Sequence, residues 1–502
     1  MKNLFLCKAI AFIACLMCSI GAVAQEAYAV FTEADNTLTF FYDELRTTRT
    51  GTTYDIDNNL GWLENSEDIS RVVFDPSFAA VRPSSTSRWF SYMWELTSID
   101  GIAYLNTSSV TDMDRMFQGC NFLESLDLSG FNTENVTSMK LMFSFCESLE
   151  LLDLRGFNTK NVTNMYGMFE ECTSLRKLDL SHFNTEKVTD MVGMFFECFS
   201  LTTLNMNGFN TENVTDMGGM FADCVSLTTL DLSCFNTGKV TGMGGMFSGC
   251  VSLESLDLSG FNTKNVKAMN NMFNDCKSLT SLDLSDFNTE NVTVMNAMFY
   301  KCESLTTINL SGWKNDKLTE MGGMFADCVS LTSLDLSDFN TSNVTNMRSM
   351  FLDCGLLKSL DLSSFNTENV QFMMEMFNGC NNLETIYAGS RWCTDAVHES
   401  SKMFYGCANL VGGQGTSYDE NHVDVAFAHI DGGPSNPGYL TLKVNTLQGD
   451  VNCDGEVNIA DINAVINIIL GGNGDHTKAD VNGDHEVNIA DVNSIINIIL
   501  SH

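Results

Sequence analysis

Basic residues are scarce in this 502-residue chain: 27 Lys and Arg stand against 63 Asp and Glu, for a formal charge of −36. A field of that sign repels phosphate backbones and anionic membrane surfaces, which excludes both as natural partners. A basic protein, a cation or an uncharged surface stays open, and acidity also serves simply to solvate an exported surface. Only four prolines occur, none inside the repeats described below, and the seven His are scattered. No Gly-x-Ser-x-Gly, His-Glu-x-x-His or phosphate loop is present, and no paired catalytic carboxylates stand out, so an enzyme is not expected. Beyond residue 24 no stretch approaches the roughly 20 apolar residues of a membrane span.

The first 24 residues carry Lys2 and Lys8, an apolar run over 9–23 and the small-x-small end Ala22-Val23-Ala24. This pattern predicts a cleaved secretory signal, with Gln25 first in the mature chain. Cys15 after Ile13-Ala14 suggests a lipoprotein site, but Phe12 is a poor start to that motif. Cleavage removes Cys7, Cys15 and Cys18 and leaves 15 of the 18 cysteines. Twelve of these recur at one position, every 26 residues from Cys120 to Cys380 and then at Cys407. An exported protein could pair them. Equivalent positions in stacked coils point the same way, however, and a free Cys fills such a ladder well as a small buried hydrophobe.

A fixed period of 26 residues predicts a solenoid, in which each unit buries its apolar face only against its neighbours. The unit is typified by 126–139, Leu-Asp-Leu-Ser-Gly-Phe-Asn-Thr-Glu-Asn-Val-Thr-Ser-Met, closed by Met142-Phe143, Cys146 and Leu149. Met-x-x-Met-Phe returns eleven times between Met113 and Phe377. The run Leu149-x-x-Leu152-x-Leu154-x-x-Phe157-Asn158 fits the leucine-rich-repeat core. Leu-Asp-Leu is expected to form a short parallel strand, its two Leu inward and its Asp outward. Val162, Met165, Met168, Phe169, Cys172 and Leu175 share the face of a short helix or 3₁₀ segment on the other wall, with Thr163 as its N-cap. The Asn of each Phe-Asn-Thr is expected to form a ladder whose amides bond the turning backbone. The fold class is thus an α/β repeat solenoid. Residues 25–88, which look like a hairpin (27–31 and 37–42) plus a strand at 71–74, form an N-terminal β cap. The array spans 89–410, a C-terminal cap and linker 411–448, and a small all-α module 449–502. Trp313 and Lys314 break the Phe-Asn pattern, which predicts a local irregularity.

The outward strand positions make a row: Asp127, Asp153, Asp179, Asn205, Asp231, Asp257, Asp283, Asn309, Asp335 and Asp361. Like charges about 5 Å apart repel, so either local hydrogen bonds with neighbouring Ser offset them or the row binds cations or a basic ligand. The variable positions beside it, such as Glu150 and Leu151, are free for recognition.

The tail carries the sharpest chemistry. Asp450, Asn452, Asp454, Glu456, Asn458 and Asp461 fall at positions 1, 3, 5, 7, 9 and 12 of a loop with Gly455 at position 6. Calcium needs six to eight hard oxygens around a tight turn, and this spacing supplies them, Glu456 through its backbone carbonyl. Asp480, Asn482, Asp484, Glu486, Asn488 and Asp491 repeat the pattern thirty residues later. Two calcium ions are therefore expected. His485 takes the place of the position-6 glycine, where φ is positive, and makes the second site the weaker.

The duplicated loop and its Asp-(Ile/Val)-Asn-x-(Val/Ile)-Ile-Asn-Ile-Ile-Leu helix resemble a type I dockerin over about 450–500. The 26-residue unit is similar to the BspA-type leucine-rich-repeat surface proteins over about 90–410. The first resemblance implies calcium-dependent docking to a cohesin-like partner through two near-symmetric helices, although positions 10 and 11 are Ile459-Ala460 and Ile489-Ala490 where clostridial dockerins carry a Ser/Thr pair. The second implies bacterial surface exposure and, for some members, adhesion. Together they imply a secreted or cell-surface binding protein whose solenoid takes a protein or glycan, with a ligand-free structural spacer as the alternative.

Overall fold

The computed structural model describes residues 24–56, 60–443, 448–452 and 456–501. The expected signal segment up to residue 23, with Cys15, and the loop residues Cys453, Asp454 and Gly455 lie outside the described residues.

Alternating apolar residues build an antiparallel hairpin from β1 (Glu26–Thr32) and β2 (Thr37–Asp43). Strand β3 (Thr52–Asp55) adds outside β1, while β4 (Arg71–Phe74) and β5 (Ser98–Asp100) add in parallel beyond β2. The sheet order β3-β1-β2-β4-β5 therefore runs from a hairpin into the parallel register of the repeats. Phe40 stacks on Phe74 and Trp89, at 4.7 and 5.4 Å between ring centres, so this sheet and the first repeat share one core.

From there each unit forms one coil, and the core is a stack of like on like. Phe117, Phe143, Phe169 and Phe195 follow one another at 5.7 Å in near-parallel planes. The cysteine column is buried and free of disulfides; Cys146 Sγ donates to Phe117 O at 3.2 Å and its equivalents repeat the contact. Leu178 and Leu180 are buried on either side of exposed Asp179, the in-out-in order expected of Leu-Asp-Leu.

The parallel strands are short and interrupted. β6 (Ser125–Leu126) pairs with β7 (Leu151–Leu152), β8 (Lys177–Asp179) with β9 (Thr203–Asn205), and β10 (Ser281–Asp283) with β11 (Thr307–Asn309). A last sheet joins β12 (Ser359–Leu362), β13 (Thr385–Ala388) and β14 (Leu440–Leu442), the final strand returning from the C-terminal loops.

The other wall corrects the expected helix. Among the described residues no helix or 3₁₀ segment occurs between Tyr104 and Val425. Consecutive turns take its place: Met142 N–H bonds Met139 O at 3.2 Å and Cys146 N–H bonds Phe143 O at 3.1 Å. The third residue of each turn is left-handed, Leu141 at φ 55° and Phe145 at φ 60°, the geometry of a type II turn. Alternate N–H groups then leave the coil: Met139, Leu141, Phe143 and Phe145 donate to Asn164, Tyr166, Met168 and Glu170 of the next. Parallel bridges run without a gap from Ser85–Asp112 to Phe372–Glu399, so this wall is the continuous hydrogen-bonded spine. Each left-handed non-glycine residue costs about 1–2 kcal/mol, which the inter-coil bonds offset.

Two side-chain roles also change. The Asn132 carboxamide closes its own turn by accepting Glu134 N–H at 3.0 Å. The neighbouring buried Thr carries the ladder, Thr133 Oγ1 donating to Asn158 O at 3.1 Å and accepting Asn158 N–H at 2.7 Å. A hydroxyl both donates and accepts, and so closes two backbone groups at once. Thr163 caps no helix; its hydroxyl donates to Thr137 O at 3.1 Å. Asn161 Nδ2 likewise reaches back to Glu134 O at 2.9 Å.

In the tail, α1 (Ile459–Ile469), α2 (His476–Ala479) and α3 (Ile489–Ser501) pack around Val465, Ile468, Val481, Val492 and Ile495.

Candidate binding wall and metal loops

The strand wall exposes what stacking leaves free. Each carboxylate of the outward row accepts the N–H two residues on, as in Ser129 to Asp127, Ser181 to Asp179, Ser233 to Asp231 and Ser259 to Asp257, all at 3.0 Å. Asp283, Asp335 and Asp361 do the same with Ser285, Ser337 and Ser363, and Asn205 and Asn309 follow suit. Such a turn needs a side-chain acceptor at that place whatever the wall binds. Hydrogen bonds from these serines hold Asp127, Asp231, Asp257 and Asp283 below the usual carboxylate range. Arg155 holds Asp153 at about 2 through its guanidinium, 2.6 Å away. Asp361 also meets Lys443 Nζ at 2.6 Å, where the chain returns beside the last coils.

Two adjacent coils depart from the pattern. The first outward position of the wall is Ser or Thr in nine of eleven coils from Ser125 to Thr385; the exceptions are Leu151 and Lys177. Leu151 is 69 % exposed, where a stacking role would bury it. Arg155 stands where other coils carry mostly Ser, and Arg176 beside Lys177 where most carry Thr or Glu. Leu151, Arg155 and Lys177 border an open groove of about 810 Å³ over residues 125–205, lined also by Asp127, Asp153 and Asp179. Leu151 was visible in the sequence as a variable position; the cluster was not, and its signal is the break in a Ser/Thr column.

The tail loops place their oxygens around the starts of α1 and α3. Asn458 caps α1 and Asp461 closes the capping box. Buried Asp461 accepts N–H from Val451, Asn452 and Asn458 at 2.8, 3.1 and 2.9 Å. Asp491 repeats this with Val481, Asn482 and Asn488 at 2.9, 3.2 and 2.8 Å. In the second loop Asp480 gathers N–H from Gly483, Asp484 and His485 at 2.8–3.0 Å, and Asn482 Nδ2 reaches Asp484 Oδ2 at 2.9 Å. Glu486 donates its N–H to Asp484 at 2.9 Å, and His485 sits at φ 70°. In the first loop Asp450 is buried, Asn458 Nδ2 lies 3.3 Å from Glu456, and Asp454 lies outside the described residues. Among the described residues no three His, Cys, Asp or Glu side chains converge as a metal-holding group. The donor set is nonetheless all oxygen, carboxylate and carboxamide around tight left-handed turns, which is the chemistry that hard calcium takes.

Coils of this kind with a duplicated loop-and-helix tail define a leucine-rich-repeat solenoid protein with a dockerin module. The family described as Mycoplasma protein of unknown function, DUF285, matches over 84–206, 168–281, 226–336 and 319–429, and the chain belongs to that family. The Dockerin type I domain matches over 448–500. Both resemblances read from the repeat unit and the tail are borne out. Similar solved structures include a leucine-rich repeat protein from Bacteroides ovatus ATCC 8483, 18% identical, covering 78% of this chain and 94% of that one at a TM-score of 0.36. A leucine rich cell surface protein from Faecalibacterium prausnitzii A2-165 is 18% identical, covering 77% and 92% at 0.32. A leucine-rich repeat protein from Eubacterium ventriosum ATCC 27560 is 16% identical, covering 76% and 93% at 0.33. Comparison with curated proteins gave no match. Among the described residues no helix is long and apolar enough to cross a membrane.

Proposed function

We propose that this is an exported cell-surface binding protein: the strand wall of the solenoid takes a protein or glycan partner, and the tail docks it, with calcium bound, to a cohesin-like protein. The observation that carries the first half is the pair of coils around Leu151 and Lys177. Stacking asks only for Ser or Thr at that position, as nine other coils demonstrate. The exposed Leu151 shares one groove with Arg155 and Lys177, and this mixed apolar and basic lining is what supports a partner-facing role. The row of Asp carboxylates, closed by their own turns and still charged, frames that groove.

The second half rests on the duplicated tail. Asp450, Asn452, Asp454, Glu456, Asn458 and Asp461 would hold one calcium ion, and Asp480, Asn482, Asp484, Glu486, Asn488 and Asp491 a second, weaker one. The ion would neutralise the loop carboxylates and brace a module whose apolar core is small for its 53 matched residues. Large apolar side chains stand exposed at equivalent places of both halves, Ile459 and Ile489, Leu470 and Leu500, as a docking face needs.

The test compares the full chain with a Leu151→Ser, Arg155→Ser, Lys177→Thr variant and with an Asp450→Ala, Asp480→Ala variant. Binding is measured to whole cells and to an immobilised cohesin, with calcium and with EDTA. The groove variant should lose at least tenfold in cell binding and keep cohesin docking; the loop variant should do the reverse. Undiminished cell binding by the groove variant refutes the groove, and absence of cell binding by the parent chain favours a spacer that carries no ligand.

A further inference from the structure

From Thr107 to Thr263 each coil passes the next the same two part-buried hydrogen bonds, as at Thr237. That hydroxyl donates to Asn262 O at 3.1 Å and accepts Asn262 N–H at 2.7 Å. The pair recurs beyond, from Thr341 to Asn366 and from Thr367 to Cys393. Between these runs the Thr place is taken by Asn315, which is 1 % exposed. Neither its Nδ2 nor its Oδ1 finds a hydrogen-bond partner among the described residues. Thr289 keeps only its bond to Lys314 O, at 3.2 Å.

The strand ladder stops at the same junction, since β11 pairs back with β10 and the next strand along the chain is β12. Strand pairing also lapses between β7 and β8, over the coils near 230 and 256 and between the coil near 333 and β12, but there the Thr pairs are intact. Among the described residues, both ladders fail together only between the units of Asn315 and Thr341. The turn wall still bridges the junction, Met321 N–H to Asn346 O at 3.2 Å, and Trp313 stacks on Phe339 at 5.8 Å. Exposed bonds also cross it, from Gly312 N–H to Asp338 at 2.9 Å and from Asn340 Nδ2 to Asp316 Oδ1 at 2.8 Å, so what it lacks is the Thr pair and the strand pairing.

In a stack whose stability is a sum of nearest-neighbour couplings, the weakest coupling decides where cooperativity breaks. We infer that this junction is a yield point built into the solenoid, at which the array opens first and separates into two blocks. One block runs from the N-terminal sheet to Cys328, the other from Leu331 to Lys443.

Native-state hydrogen exchange of the full chain tests this, with protection factors for the equivalent amides of Asn262, Asn340 and Asn366. Asn340 should exchange at least tenfold faster than the other two, and Asn315→Thr, which installs the residue of the neighbouring coils, should slow it to match them. In urea the parent should unfold in two steps that the variant merges into one. Equal protection at the three amides, or an unchanged Asn340 rate in Asn315→Thr, overturns the inference.

Discussion

Thr237→Val is the sharpest probe of what holds the coils together. The substitution keeps the shape of a fully buried side chain and deletes one oxygen. That oxygen serves both the carbonyl and the N–H of Asn262, at 3.1 and 2.7 Å. Two hydrogen bonds are lost at about 1 kcal/mol each, and two part-buried backbone groups are left to recover water imperfectly, at roughly 1 kcal/mol more apiece. The expected loss is about 2–4 kcal/mol, against about 0.5 kcal/mol or less for Thr229→Val, whose side chain faces solvent on the strand wall. Urea titrations followed by far-ultraviolet circular dichroism and by tryptophan fluorescence read both variants against the parent. If Thr237→Val and Thr229→Val shift the midpoint of the N-terminal block equally, the ladder contributes nothing and stacking of Phe, Met and Leu alone holds the array.

Four further outcomes follow from the same contacts. Burial, then the charges of Glu197, Glu170 and Glu147, pushes the Glu171 carboxyl up to about 7 from 4.5. The folded chain then holds the extra proton between those values, so stability falls as pH rises through that window; Glu171→Gln should raise the melting temperature at pH 8 and leave it unchanged at pH 4. Burial pushes the ladder thiols up, Cys146 to about 12, so in native protein a disulfide reagent should label the half-buried Cys234 and Cys393 well before the twelve ladder cysteines. Asp431 is buried, yet hydrogen bonds from Thr416, Gly433 and Gln414 hold its carboxyl far below the usual range; Asp431→Ala should cost about 3 kcal/mol or more and expose 411–443 to limited proteolysis. His485→Gly removes a left-handed histidine from the second tail loop, and calorimetric calcium titration should show that site tightening; a tighter second site in the parent chain would falsify the ranking of the two.

The repeat unit disclosed the solenoid because stacking demands the same residue at the same place in every coil. Leu, Met, Phe and Cys at fixed intervals carry their burial on their face. The turn wall was misread because a spacing of three is common to a 3₁₀ segment and to consecutive turns. What separates them is the sign of φ at the turn's third residue, and its trace was in the chain: Gly167, Gly193, Gly219, Gly245 and Gly323 share one column of left-handed positions. Leu141, Asn271 and Ala297 in that same column concealed it. The ladder was assigned to the wrong neighbour for a similar reason. Asn and Thr recur side by side, and only the pleat of the coil decides that Thr133 faces inward while Asn132 faces solvent.

Recognition leaves the opposite kind of trace. A contact with a partner is made once, by one or two coils, and so appears as a break in a column. The breaks sort themselves by burial. Trp313 and Asn315 are buried departures, and their effects stay inside the fold: the indole donates to Leu284 O at 2.9 Å while the carboxamide is left without partners among the described residues. Leu151 and Lys177 are exposed departures, outside the packed core. A buried break thus alters how the solenoid holds together, and an exposed one what it can hold. On that distinction the same 26-residue period points both to the inferred yield point and to the groove proposed for binding, although a single unit taken alone shows neither.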